Sequence, residues 1–204
     1  DFMGFFYLGH CYRCGTGTEP DIGKAISYYA KAYELNPQDG RPAYELGEIF
    51  ANESHQPERA FSWYQKGAEA GEERAMVSLA LCYRCGDGTG ENPEEAFYWF
   101  QKAVETNAED RDAIYFLAQC YEYGIGIDED ESKAYSLYER SAALEEPYSM
   151  FKMGQKYREN KNYKKALAML QKAADQGVSD AYNILGILYD NGQGVKKNAG
   201  KAVE

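Results

Sequence analysis

The chain has 204 residues, 44% of them hydrophobic, and a formal net charge of −11 at neutral pH. That much apolar material, with 19 tyrosines, supports a packed core and excludes a disordered chain. The acidic balance argues against a nucleic-acid phosphate partner, and no run approaches the ~20 apolar residues of a membrane-spanning helix.

A small residue after Leu or Met serves as a ruler along the chain. It falls at Gly9, Gly47, Ala80, Ala118, Gly154 and Gly186, at intervals of 38, 33, 38, 36 and 32 residues. Before it stand Leu8, Leu46, Leu79, Leu117, Met153 and Leu185. Three residues after it stand Tyr12, Phe50, Tyr83, Tyr121, Tyr157 and Tyr189. Leu and ring are four residues apart, on one helical face. A second helix follows each time, marked by Ala25, Ala60, Ala96, Ala134, Ala166 and Ala202. Repetition at this period is the signature of a helical repeat array.

In chain order, the first repeat covers residues 1–39. Phe5–Gly9 lies in its first helix, and Gly15-Thr16-Gly17 ends that helix. Asp21 is placed to cap the second helix, with Lys24 at N3, and Pro37 follows the break after Leu35. Repeat two (40–71) is short: 13 residues separate Gly47 from Ala60, against 16 in repeats one, three, four and six. Repeats three (72–110) and four (111–146) are long. Repeat five (147–177) is short again, with 12 residues from Gly154 to Ala166. Repeat six (178–204) is cut off within its second helix, and the chain begins inside a first helix, which reads as a piece of a longer array. Only the long repeats carry Gly-x-Gly, at Gly15/Gly17, Gly86/Gly88, Gly124/Gly126 and Gly192/Gly194. These glycines read as helix terminators. They do not match a phosphate loop. Asp128–Ser132 lacks the glycine of a calcium loop and reads as a charged turn before a helix. No Pro- or Ser-rich linker interrupts the array. Each helix pair has an apolar stripe too wide to bury alone, so neighbours must stack, and residues 1–204 read as a single repeat domain.

No cofactor or metal site is expected. The cysteine pairs Cys11/Cys14 and Cys82/Cys85 end equivalent helices two repeats apart. At roughly 10 Å per stacked helix they are too distant to share one zinc. They close helices, where the dipole raises a thiol pKa, so a redox role is disfavoured. With Cys120 they are expected as small buried hydrophobes. An odd, unpaired number weakly favours a reducing, cytoplasmic compartment. The two histidines, His10 and His55, have no nucleophile or ligand spacing around them, so the segment is not expected to be an enzyme.

The stretch Leu185-Gly186-Ile187-Leu188-Tyr189-Asp190-Asn191-Gly192-Gln193-Gly194-Val195 resembles the Sel-one-like repeat, a relative of the tetratricopeptide repeat. So does Lys165-Ala166 through Lys172-Ala173-Ala174-Asp175-Gln176-Gly177. The resemblance covers nearly the whole chain. It implies an all-α fold: a right-handed α/α superhelical solenoid of about six helix-turn-helix repeats, the last truncated. It also implies a scaffold or adaptor for protein complexes, in bacterial signalling and host interaction or in eukaryotic quality control. By the same resemblance the first helices line the concave side. At 100° per residue, the face opposite the core lies three before, one after and four after the ruler mark. The candidate partner-binding groove is therefore Phe6, His10 and Arg13; Tyr44 and Glu48; Leu81 and Arg84; Tyr115 and Gln119; Phe151, Gln155 and Arg158. Aromatic and Arg residues recur there, as at interaction hot spots, so a protein or peptide partner is expected. The family's carboxylate clamp needs Lys and Asn that this chain lacks, so no such clamp is expected. The alternatives are a regulatory or oligomerisation domain of a larger protein, self-associating through the array ends.

Overall fold

A computed structural model describes residues 1–198 and 200. Among these residues there are eleven α-helices and one π-helical turn, and no strand. The chain forms two compact units. The first, Asp1–Ala108, holds α1 (Phe2–Cys14), α2 (Ile22–Leu35), α3 (Arg41–Glu48), the π-helical turn Ile49–Glu53, α4 (Pro57–Glu69), α5 (Glu73–Cys85) and α6 (Pro93–Thr106). The second begins at Glu109 and holds α7 (Arg111–Tyr123), α8 (Glu131–Ala143), α9 (Pro147–Glu159), α10 (Tyr163–Asp175) and α11 (Ser179–Asn191). The expected second helix of repeat six, with Lys201 and Ala202, lies outside the described residues.

Within each unit, consecutive helices pack as antiparallel hairpins and each hairpin leans on the next. Local sequence sets the hairpins. Asp21, Asn92 and Asp130 cap α2, α6 and α8, accepting from the backbone N–H three residues on at 2.9, 3.1 and 2.9 Å. Each such cap is worth ~1 kcal/mol.

The ruler residue is small because a large side chain of the second helix lies against it. A Cβ added to Gly9 would sit 2.7 Å from the Tyr29 ring, one on Gly47 2.5 Å from Tyr64, and one on Gly154 2.7 Å from Leu170. These partners stand four residues after the Ala of each second helix and are buried. The Leu before the mark is buried in Leu46, Leu79, Leu117 and Leu185. Leu8 departs from this and is 42% exposed. It sits on α1, which packs against α2.

Repeats two and five reach their second helices without Gly-x-Gly. They still need a left-handed residue, which His55 (φ 50°) and Lys161 (φ 58°) supply, an uncommon conformation outside glycine. In repeat two the turn is prepared by the π-helical widening at Ile49–Glu53, and the Gln56 N–H donates to the Phe50 carbonyl at 2.8 Å.

The long loops dock on these short turns. In repeat three, Gly88 (φ 73°) lies against the Pro57 backbone, and a Cβ there would overlap the Pro57 carbonyl. In repeat six, Gly194 (φ 73°) does the same to Tyr163, with a Cβ 2.7 Å from its backbone. Gly17 (φ 74°), in repeat one, has nothing within 4 Å.

Candidate functional site

The first unit contains an open cleft of about 530 Å³ between the α3–α4 hairpin and α5. Its lining is mixed: apolar Ala51, Ala60, Leu81 and Cys82 with polar Glu48, Asn52, His55, Tyr64, Ser78 and Asp87.

The cleft has a cause in the register of neighbouring first helices. The residue four after one ruler mark meets the residue two before the next. Between repeats one and two this is an ion pair, Arg13 to Glu45 at 2.6 Å. Between repeats four and five it is again an ion pair with the signs reversed, Glu122 to Lys152 at 2.7 Å. Between repeats two and three the same positions hold Ala51 and Ser78. Two short side chains stand where others bridge, and both line the cleft.

Polar atoms along this face are tied down in a regular way. Tyr64 donates its hydroxyl to Glu48 Oε1 at 2.7 Å, and Asn52 donates to Glu48 Oε2 at 3.3 Å. Tyr138, at the same register in repeat four, donates to Glu122 Oε2 at 2.6 Å. Burial first, and then the carboxylate beside it, pushes each hydroxyl's ionisation far above its ordinary value. In repeat one the pattern fails. Tyr29 is buried, and its hydroxyl has no hydrogen-bond partner; the residue matching Glu48 is the exposed His10. An unpaired buried hydroxyl costs ~1–3 kcal/mol. Tyr29→Phe is therefore expected to leave stability unchanged or raise it by up to ~1 kcal/mol, while Tyr64→Phe lowers it by ~1 kcal/mol, measured by urea unfolding.

The predicted groove residues are distributed as follows. Glu48 and Leu81 come together in the cleft. Arg13 is held by two carboxylates of repeat two, Glu45 and Glu53, the latter at 3.0 Å. Phe6, Tyr44 and Tyr115 are half-buried. Each is covered from the next first helix by the residue six before that helix's mark. The Arg41 guanidinium lies 5.2 Å from the Phe6 ring, that of Arg74 4.4 Å from Tyr44, and the Tyr148 ring 6.0 Å from Tyr115. Gln119 donates to the Tyr115 hydroxyl at 2.8 Å. Leu81, Arg84, Phe151, Gln155 and Arg158 are half-buried, and His10 is exposed beside Cys14. The angle argument missed Asn52, His55, Tyr64, Ser78 and Asp87. It treated each first helix alone, and these come from the turn, the second helix and the next repeat. The charge alternation at Arg13/Glu45 and Glu122/Lys152 was the sequence signal that could have found Ser78.

The cysteines divide by register. Cys82 and Cys120 are buried as expected, and Cys11 is half-buried. Cys14 and Cys85 are exposed, a correction to the expectation that all five are buried. They stand one turn past the core stripe, where the helix ends. Burial pushes the Cys82 thiol up to about 12. A thiol reagent should thus modify Cys14 and Cys85 quickly in the native protein, and Cys82 and Cys120 only after denaturant is added, read by mass spectrometry of digests.

Among the described residues no group of three or more His, Cys, Asp or Glu could hold a metal ion. No described helix is long and apolar enough to cross a membrane.

The sequence model of the Sel1 repeat matches residues 6–37, 43–72, 73–105, 111–145, 147–178 and 179–204, six times in succession. A solved Sel1 repeat protein from Oxalobacter formigenes is 32% identical over 100% of this chain and 60% of its own, with a TM-score of 0.84. The protein c5321, a protective antigen present in uropathogenic Escherichia coli strains, is 24% identical over 99% of this chain and 52% of its own, with a TM-score of 0.61. The chain thus spans 60% and 52% of the length of these two proteins. YrrB, a tetratricopeptide-repeat protein with a peptide-binding site, is 20% identical over 89% of each chain, with a TM-score of 0.56, and shares the fold alone. No curated protein matches the chain. The all-α repeat solenoid is the fold of these relatives, and such repeats are generally protein-interaction scaffolds and typically not enzymes. Six consecutive matches across nearly all of its length decide the assignment: the chain belongs to the Sel1 repeat family.

Proposed function

We propose that this segment is a non-catalytic adaptor whose partner docks as a peptide on the first-helix face, and that the docking point in the first unit is the cleft beside Glu48. The observation that carries the reading is the gap at Ala51 and Ser78. Repeats one and two, and repeats four and five, close this register with an ion pair, whereas repeats two and three leave it open. The open register combines apolar lining residues with a few hydrogen-bonding groups, the usual make-up of a recognition site. Within the second unit Tyr115, Gln119, Phe151, Gln155 and Arg158 are the candidate contact residues.

The test uses 12-residue peptides selected from a random displayed library against the intact chain. Their binding should shift the amide NMR signals of Asn52, Ser78 and Leu81. Ala51→Trp, which fills the cleft whatever the occupant's charge, should abolish it with the helical circular dichroism unchanged. Peptides that bind Ala51→Trp as well as wild type would contradict the reading.

A further inference from the structure

We infer that the occupant of the cleft brings its own cation: a lysine or arginine side chain of a partner's peptide, its stem along Ala51 and Leu81 and its charge on Glu48. The inference rests on the adaptor reading above and adds the chemistry of the partner.

Tyr64 and Tyr138 share a register, and each donates to a carboxylate of its own first helix, one turn apart in the two repeats: Glu48 stands one residue after its ruler mark and Glu122 four after. In repeat four, Glu122 holds the Tyr138 hydroxyl and is neutralised from the next first helix. Lys152 Nζ reaches its two oxygens at 2.7 and 2.9 Å. In repeat two, Glu48 holds the Tyr64 hydroxyl in the same way. Its other donor is the neutral Asn52 amide at 3.3 Å. The residue at the register of Lys152 is Ser78, too short and uncharged. Among the described residues Glu48 thus has two neutral donors and no cation.

The rest of the cleft agrees. Among the described residues no Lys or Arg lines it, and a second carboxylate, Asp87, does. About 530 Å³ is room for a long basic side chain with part of its backbone. The apolar lining residues suit the methylene stem, which long cationic side chains bury while the charged head finds a polar partner. A carboxylate already oriented by a hydroxyl and an amide is prepared for a charge-assisted hydrogen bond, about twice as strong as a neutral one. The chain's net charge of −11 also favours encounter with a basic segment.

The probe is the capped peptide acetyl-Ala-Leu-Arg-Leu-Ala-amide, with a second peptide carrying citrulline, the neutral isostere, in place of Arg. Binding is followed by the amide NMR shifts of Asn52 and Ser78. The arginine peptide should bind at least about tenfold more tightly, the scale of one well-placed charged hydrogen bond. The difference should shrink as salt is raised. Glu48→Gln should remove the preference for Arg. Ser78→Lys, which puts a cation of the chain's own at the register of Lys152, should remove binding while leaving the melting temperature equal to or above wild type. Equal affinity of the two peptides would overturn the inference and leave the cleft as a docking site. Failure of the arginine peptide to shift the cleft signals would also overturn it, and the Ala51→Trp result with selected peptides would still judge the adaptor reading separately.

Discussion

Gly88→Ala should destabilise the first unit by about 3 kcal/mol, while Gly17→Ala should cost only about 1 kcal/mol. Both positions hold a left-handed backbone, φ 73° and 74°. An L side chain there costs ~1–2 kcal/mol. Gly17 has no atom near its would-be Cβ, so that term is the whole effect. At Gly88 the new methyl also runs into the Pro57 carbonyl and the Glu58 N–H region, both backbone. Backbone cannot move aside as a flexible side chain can, and overpacking of this kind adds ~1–3 kcal/mol. The chain's two tryptophans, Trp63 and Trp99, both lie in the first unit. Urea unfolding followed by tryptophan fluorescence therefore reads this unit alone. Equal losses for the two variants would mean that the loop of repeat three does not rest on the turn of repeat two.

Lys152→Met should destabilise the second unit by about 2 kcal/mol at neutral pH, and the deficit should close in acid. The Glu122 and Lys152 side chains are 19% and 20% exposed. That places the pair between a surface bridge worth ~0–1 kcal/mol and a buried one whose disruption costs ~3–5 kcal/mol. Burial alone would raise the Glu122 carboxyl; hydrogen bonds from Lys152, Tyr138 and Tyr123 outweigh it and hold it below its ordinary value. Burial works to lower the Lys152 ammonium, and Glu122 and Tyr123 hold it above its ordinary value. A carboxyl depressed in the folded state contributes stability above its unfolded pKa of ~4.3. That contribution is lost as pH falls through the folded value. Without Lys152 burial pushes the Glu122 carboxyl up, so in the variant protonating this group favours the folded state as pH falls, while the wild type loses the contribution of its pair. The gap should start to narrow as pH falls below about 4.3, the unfolded value, and close only below the depressed folded value of Glu122. Hydrogen exchange of the α8 and α9 amides measures this unit directly. A deficit independent of pH would assign Lys152 a packing role only.

The fold was legible because each repeat states it again. The small residue at the ruler mark and the ring three residues on are local requirements of a helix hairpin, and six copies make them visible. Gly47 against Tyr64 is the physical reason for the mark. The docking of Gly88 on Pro57 was not legible, because it joins a loop to the turn of the preceding repeat. The candidate site was half legible. Glu48 and Leu81 followed from helical angle. Phe6, Tyr44 and Tyr115 also followed from angle, but the residue six before the next mark covers their rings, and single-helix geometry cannot contain that neighbour. Ser78, Asn52 and Asp87 belong to the site through contact between repeats. Only the offset shared by Arg13/Glu45 and Glu122/Lys152 encodes that contact in the sequence.

The most direct measurement is a crystal structure of the chain with a library-selected peptide bound. A basic side chain of the peptide should lie between Ala51 and Ser78, with its nitrogen within ~2.7–3.2 Å of a Glu48 oxygen. A peptide seated elsewhere, with Ala51 and Ser78 untouched, would contradict the account.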